Sequence, residues 1–195
     1  MKILNLYAGI GGNRKLWGDE HDVTAVENVP EIAAIYKDFF PGDKVIIGDA
    51  HQYLLDHFKE FDFIWSSPPC PTHSVLNYSL SGQGINRFPD MKLYEEIIFL
   101  KYWFKGKWVV ENVRSYYTPL IKPWEVGRHY FWSNFIIAKK TDLEVDIGTF
   151  NRKASSLAQL KAKKNAKSQI KRNCVNPKLG LHVFNMAFKE KQVTL

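Results

Sequence analysis

Residues 1–28 read MKILNLYAGIGGNRKLWGDEHDVTAVEN, and the architecture can be worked out from this segment. An apolar run at 3–7 is followed by glycine-rich residues 7–12 and by a second β-branched run at 23–27. Glycine permits a tight turn and lets the backbone approach a ligand closely, although many such turns need glycine only for packing. A strand, a glycine turn and a second strand ending in an acid is the order typical of nucleotide-binding α/β sheets.

The same alternation continues along the chain. Further strands are predicted at 44–47, 61–66, 108–111 and 130–137, and helices at 30–39 and 91–104. Alternating strands and helices predict the α/β class, with a doubly wound, mostly parallel sheet. Ligands bind such sheets beyond the carboxyl ends of the strands. The polar residues predicted at those ends are Glu27, Asp49, Cys70 and Glu111.

Composition narrows the class of protein. The 195 residues, 45% of them hydrophobic, are enough for one domain and leave little room for a second. No apolar run approaches the roughly 18 residues of a membrane span, and the N-terminus lacks the regions of a signal peptide, so we expect a soluble, cytoplasmic protein without membrane association. Cys70 and Cys174 form no CxxC pair, which argues against a disulfide framework or a metal site.

The net charge of +7 is concentrated in one segment. Residues 152–172 contain eight Lys or Arg and no acid, so +7 minus +8 leaves −1 for the rest of the chain. Such a segment favours binding to a polyanion. A solvated charge run is the alternative, and the sequence alone does not separate the two.

Cys70 is the first candidate catalytic residue. It ends Ser-Ser-Pro-Pro-Cys at 66–70, directly after a predicted strand, and the paired prolines restrict the backbone to a stiff turn. A structural cysteine would prefer a strand interior. The turn therefore favours a functional thiol.

Three other polar residues have two interpretations each. Glu111 follows a predicted strand at the edge of the same crevice as Cys70, where apolar surroundings would let it hold a proton; otherwise it is a surface acid. Arg128 is either a cation for a substrate oxygen or an ordinary surface residue. Asp49 is either a ligand-binding acid or the cap of a helix that begins near Ala50.

Together, residues 7–12 (YAGIGG), Glu27, Gly48-Asp49, Pro68-Pro69-Cys70 and Glu111-Asn112-Val113 resemble the DNA cytosine-5 methyltransferases over roughly residues 1–137. The resemblance implies a Rossmann-like S-adenosylmethionine-dependent fold and methyl transfer to C5 of cytosine in DNA. It places Glu27 on the cofactor ribose and Asp49 on the adenine amine. The implied cofactor residues are Tyr7, Gly9, Gly11, Glu27, Asn28, Asp49 and Pro69.

The same resemblance implies the catalytic roles. Cys70 would attack C6 of the cytosine, and Glu111 would stabilise the ring protonated at N3. Arg128 resembles the last arginine of the family's Gln-x-Arg-x-Arg element and would hold the cytosine O2 or the thiolate. Ser74 matches a loop serine near the DNA. Because C6 is shielded within stacked DNA, the base must be extruded, with residues 71–90 as the lid.

The chain also departs from the family pattern. Pro71 stands where glutamine is usual, and the glutamine and first arginine before Arg128 are missing. We therefore expect a catalytic core at 1–137, a reduced basic DNA-contacting segment at 138–172, and a C-terminal segment at 173–195 that packs on the core, with Asn176 opening its helix. We therefore expect the protein to discriminate little between DNA target sequences. The DNA-contacting lysines are expected to be Lys161, Lys163, Lys164 and Lys167.

Two other functions remain open. One is cytosine-5 methylation of RNA, because a relative with the same two motifs acts on transfer RNA. The other is nucleic-acid binding without turnover, against which the intact Cys70 and Glu111 argue.

Overall fold

The computed structural model describes residues 1–139 and 174–189. Within these ranges the strands are β1 (Lys2–Leu6), β2 (Asp22–Glu27), β3 (Lys44–Ile47), β4 (Phe63–Ser66), β5 (Lys107–Val113), β6 (Trp124–Val126) and β7 (His129–Ser133). They form one sheet in the order β3-β2-β1-β4-β5-β7-β6. The first five of these neighbours run parallel, whereas β7 pairs antiparallel with both β5 and β6.

The helices begin where local chemistry satisfies their free backbone groups. They are α1 (Pro30–Phe39), α2 (Ala50–His57), α3 (Asn77–Ser81), α4 (Lys92–Trp103) and α5 (Pro177–Phe188), with short 3-10 turns at Arg14–Leu16 and Phe58–Glu60. Proline opens both α1 and α5, at positions where its missing N–H costs nothing. Asn176 caps α5 by accepting hydrogen bonds from the N–H groups of Lys178 and Leu179.

Helices cover both faces of the sheet. Side chains alternate along each strand, so Ile3 and Val109 face α5 while Leu4 and Val110 face α2 and α4. On the α5 face, α1 packs through Tyr36 against Ala25 of β2. The predicted doubly wound, mostly parallel α/β sheet is therefore confirmed.

The C-terminal helix closes over the turn that follows β1. Trp17 stacks on Phe184 with ring centroids 5.1 Å apart. A Cβ atom on Gly180 would lie 2.5 Å from the carbonyl oxygen of Asn13, so only glycine permits this approach. The start of the chain and its C-terminal helix thus share one hydrophobic core.

The structure differs from the sequence prediction at three places. The strand expected at 130–137 ends at Ser133, because the Asn134 side chain accepts from Trp108 N–H and donates to the Gly106 carbonyl, which replaces the strand pairing. Strand β6 was not predicted, because its three residues are too few to show a periodicity. The region 71–90 contains the short helix α3. None of the helices in the described ranges has the length and apolarity needed to span a membrane.

Candidate active site

The site lies where the strand order reverses. The chain passes from β1 outward to β2 and β3, and then returns to β4 and continues to β5 on the other side. The turns after β1 and β4 therefore meet at the carboxyl edge of the sheet, where α/β sheets bind ligands. One cleft lies there, and five of the predicted cofactor residues line it: Tyr7, Glu27, Asn28, Asp49 and Pro69.

The Glu27 carboxylate fixes the conformation of the glycine turn by accepting backbone hydrogen bonds. Its buried carboxylate accepts a hydrogen bond from Gly9 N–H through Oε2 at 2.9 Å and one from Val29 N–H through Oε1 at 3.0 Å. Each carboxylate oxygen has a second lone pair, so neither bond prevents a ligand hydroxyl from binding. Glu27 thus lines the cleft and also fixes the shape of the turn.

The two predicted glycines of this turn differ. Both adopt positive φ, +55° for Gly9 and +79° for Gly11. A Cβ atom on Gly9 would meet nothing within 4 Å, whereas one on Gly11 would collide with the rings of Tyr36 and Phe40. Close packing against α1 and Phe40 is therefore sufficient to explain Gly11, and neither glycine is among the residues that line the cleft.

Asp49 fits both of its predicted roles, as a helix cap and as an acid at the ligand cleft. It caps α2 by accepting a hydrogen bond from Gln52 N–H at 3.0 Å, and this bond holds the pKa of the carboxyl below its ordinary value. It also lines the cleft. The ionised carboxylate is thus presented to any ligand bound there.

A buried acid behind the cleft was missed by sequence reasoning. Glu96 of α4 is fully buried and accepts hydrogen bonds from Tyr7 Oη at 2.6 Å and Ser66 Oγ at 2.6 Å. His51 Nδ1 lies 3.1 Å from the same carboxylate, and this hydrogen bond is the main reason why the pKa of His51 is raised. Glu96 therefore ties β1, β4 and α2 together beneath the cleft.

A signal for Glu96 was present in the sequence. It falls on the apolar face of α4, at helical spacing from Leu93 and Leu100, where a charged residue needs buried partners. One of those partners, Tyr7, is the single non-glycine residue with positive φ in the described ranges, at 53°. The bond to Glu96 anchors the side chain of this strained residue.

Next to the cleft, directly after the lining residue Pro69, Cys70 lies on a hydrogen-bonded turn. Its carbonyl accepts hydrogen bonds from the N–H groups of His73 at 3.0 Å and Ser74 at 3.1 Å. The buried Asn112 side chain donates to the Pro68 carbonyl at 2.9 Å, which links β5 to the proline turn. The two most specific motifs of the sequence are thus bonded directly to each other.

Both of the other predicted catalytic residues, Glu111 and Arg128, act electrostatically on Cys70. Burial raises the pKa of the Cys70 thiol, and the Glu111 carboxylate raises it further, while the positive charge of Arg128 opposes the rise. At neutral pH the group is therefore a thiol and not a thiolate.

Glu111 has a partner that the sequence did not suggest. It is buried on β5, and its Oε1 lies 2.6 Å from Nδ1 of His129 on β7. His129 is buried as well. Arg128 is exposed, and its Nε donates to Nε2 of His129 at 3.4 Å.

The loop after Cys70 is held at its base and exposed at its tip. Ser74 pairs with Ser115 in an isolated β-bridge, and its hydroxyl accepts from Leu76 N–H. Leu76 and Phe88 expose 70% and 83% of their surface, so the loop presents apolar side chains to a ligand. The predicted DNA-contacting lysines, Lys161, Lys163, Lys164 and Lys167, lie outside the described residues.

The sequence is similar to a known protein family. The sequence profile described as C-5 cytosine-specific DNA methylase matches residues 1–119. No curated protein shows significant sequence similarity to the chain.

The chain also has partial structural similarity to solved structures. A mutant of Spodoptera frugiperda DNMT2 is 26% identical, over 57% of this chain and 35% of that one, with a TM-score of 0.40. The Escherichia coli protein yhhF is 14% identical, over 68% of this chain and 73% of its own, with a TM-score of 0.45. The Entamoeba histolytica methyltransferase EhMeth is 14% identical, over 58% and 38% of the two chains, with a TM-score of 0.38.

The sheet, its helices and the cleft at the switch point define a Rossmann-like α/β fold. Because the profile covers more than half of the sequence, the chain belongs to the C-5 cytosine-specific DNA methylase family. The resemblance stated from the motifs is thereby confirmed, and the protein is a methyltransferase of the cytosine-C5 class that acts on nucleic acid.

Proposed function

We propose that this protein transfers a methyl group from S-adenosylmethionine to C5 of cytosine in DNA. The observation that carries the proposal is the joining of the Cys70 turn to the Glu111 strand. Asn112 bonds the two across 2.9 Å, and the Glu111 carboxyl is buried close enough to the Cys70 thiol to act on it electrostatically. A nucleophile and a proton donor on opposite edges of one pyrimidine are what attack at C6 requires.

The cleft fits the cofactor. S-adenosylmethionine offers ribose hydroxyls and an adenine amine as hydrogen-bond donors, and Glu27 and Asp49 offer carboxylate acceptors at the ends of β2 and at the start of α2. Gly9 leaves open space above the turn, and Tyr7, Asn28 and Pro69 form walls. When bound, the cofactor supplies an electrophilic methyl group next to the crevice.

The chain's own residues carry the remaining steps. The thiol proton of Cys70 passes to solvent water as the sulfur bonds to C6 of the cytosine. Glu111, which takes up a proton from solvent, gives that proton to N3, so that the electron pair of the C5–C6 π bond becomes available at C5 for the methyl group. The C5 proton then passes to water, the sulfur leaves C6 as a thiolate, and N3 returns its proton to Glu111, which restores the neutral aromatic ring.

Arg128 and the loop at 71–90 assist the methyl-transfer reaction in this proposal. The charge of Arg128 opposes the rise in the Cys70 pKa, which supports a role in stabilising the thiolate, with the cytosine O2 as the alternative contact. The exposed apolar residues of 71–90 are suited to cover a base that has been extruded from the duplex. Ser74, at the base of this loop, would contact the DNA.

The mechanism is tested with DNA that contains 5-fluorocytosine. Fluorine at C5 cannot leave as a proton does, so the Cys70–C6 bond should persist as a denaturation-resistant adduct that forms only with cofactor. Mass spectrometry should locate the adduct on Cys70. If the active protein forms no adduct, its target is not cytosine C5.

The substrate is tested by tritium transfer to duplex DNA, single-stranded DNA and transfer RNA at matched cytosine content. We expect duplex DNA to be the best acceptor, in accordance with the family. Preference for transfer RNA would replace DNA by RNA in the proposal. Binding without transfer to any of the three would favour a binding protein that has lost turnover.

The basic segment 152–172 is proposed to bind DNA phosphates without reading bases. If about half of its eight charges touch DNA, log affinity should fall with log salt at a slope of roughly −4. Neutralising Lys161, Lys163, Lys164 and Lys167 together should flatten this slope and weaken all DNA sequences equally. An unchanged slope would make the segment a solvated linker, whereas selective loss for one sequence would mean that it reads bases.

A further inference from the structure

Strand pairing decides which residue of β7 reaches Glu111. In the antiparallel β5–β7 pair, Glu111 is opposite Phe131 and Val113 is opposite His129. Residues two apart on a strand share a face, so His129 lies on the same face as Glu111. Arg128 precedes the strand and is exposed.

The contact with Arg128 determines which ring nitrogen of His129 accepts a hydrogen bond and which one donates. Arg128 Nε donates to its Nε2, which therefore acts as the acceptor. A neutral imidazole then carries its proton on Nδ1 and donates it to Glu111 Oε1, 2.6 Å away. The bond engages one carboxyl oxygen and leaves Oε2 for an incoming base.

The Glu111–His129 hydrogen bond matters because both side chains are buried. The Glu111 and His129 side chains are only 7% and 8% exposed, and a buried carboxylate without a partner is costly. Cys70 and Cys174 lie near Glu111 and would repel its carboxylate if they ionised, whereas Arg128 acts on Cys70 and donates to His129. The Nδ1–H of His129 is the hydrogen-bond donor that the Glu111 side chain contacts among these neighbours.

We propose that His129 is the positioning residue for Glu111, and that it orients the carboxyl toward the cytosine ring. This inference rests on the proposed function. When Glu111 gives its proton to N3 it is left as a carboxylate, and the Nδ1–H bond stabilises the charge that appears. His129 itself gains and loses no proton in this step.

A pair of nearly isosteric substitutions tests the inference. His129→Asn keeps an N–H donor close to the position of Nδ1, whereas His129→Leu replaces it with a methyl group. The single-turnover rate constant should fall about 100-fold in His129→Leu, the cost of a misplaced catalytic group, and His129→Asn should recover most of it. Cofactor affinity should be unchanged in both variants.

A surface pair provides the control. His57 Nδ1 lies 2.7 Å from Glu60 Oε1, and both side chains are largely exposed. His57→Leu removes the same kind of contact away from the cleft and should leave the rate constant unchanged. Cofactor titration counts the competent molecules, so a variant that merely folds poorly loses amplitude and keeps its rate constant.

The outcomes are distinct. If His129→Leu transfers methyl groups at the wild-type rate constant, or His129→Asn is as slow as His129→Leu, the inference is wrong while the proposed function stands. If the leucine variant does not fold, His129→Gln, whose amide lies one carbon farther out, should be slower than His129→Asn; equal rates would overturn the inference. A wild-type protein that modifies no cytosine refutes the proposed function, and the inference with it.

Discussion

The proposed active site has two ends that are built on different principles: a cofactor end, which is the cleft, and a base end, which is the Cys70 turn beside it. At the cofactor end, Glu27 and Asp49 accept hydrogen bonds from backbone N–H groups, and Glu96 holds Tyr7 from behind. At the base end, Cys70 and Glu111 are titratable groups whose environments act on each other.

This difference suits the cofactor end to ligand binding and the base end to the chemical step. Carboxylates fixed by backbone amides keep one charge state and one position, as recognition requires. A buried thiol near a carboxylate is held in its protonated form until a substrate arrives, which protects it from side reactions. Substitutions at the base end should therefore change the rate, and those at the cofactor end should change affinity.

The largest effect is expected for Cys70→Ser. Methyl transfer should fall by at least about 10⁴-fold, because a nucleophile is removed, while cofactor affinity stays the same. Tritium transfer and calorimetry measure the two properties separately. Cys174→Ser is the matched control, since that thiol packs beside Gly12, and it should retain transfer. Residual methylation by Cys70→Ser would contradict covalent attack.

Alkylation should reveal the resting thiol. Because the pKa of Cys70 is raised, the thiolate is scarce near neutral pH, and labelling by iodoacetamide should accelerate roughly tenfold per pH unit between about pH 7 and 9. Burial raises the pKa of Cys174 to about 12, so it should stay unlabelled. Mass spectrometry gives both rates. Labelling of Cys70 that does not change with pH would show that it is a thiolate at rest.

At the cofactor end, Glu27→Gln should weaken S-adenosylmethionine binding by about 1–3 kcal/mol, because a charged acceptor for two backbone N–H groups is lost along with its bonds to the ligand. The rate constant at saturating cofactor should change little. Glu31→Gln, at an exposed position of α1, is the control for calorimetry. Unchanged affinity in Glu27→Gln would remove Glu27 from the cofactor site.

The smallest effect is expected for Tyr7→Phe, which removes the bond to Glu96 and keeps the ring. Cofactor affinity should fall by about 1 kcal/mol, or roughly fivefold, as the strained backbone of residue 7 loses its anchor. Tyr102→Phe, exposed on α4, should have no effect. A slower rate constant with intact affinity would mean that the two ends are not independent.

Much of the fold and part of the site could be predicted from the sequence. Helix α1 and strand β3 have their predicted bounds, because proline, glycine and apolar periodicity act locally. The motifs around Glu27, Cys70 and Glu111 could be found because their turns need particular residues. Strand β6 and the early end of β7 were missed, since they depend on pairing and on the side-chain bonds of Asn134.

The sequence by itself determined the class of the protein and the residues offered at the strand ends. The tertiary structure alone decided which of them meet. Glu96 reaches Tyr7 across 89 positions, and His129 reaches Glu111 through an antiparallel register that no local pattern encodes. The physical reason is that a buried charge must find its hydrogen-bond partners in space, and these are brought close only when the strands pair and the helices pack.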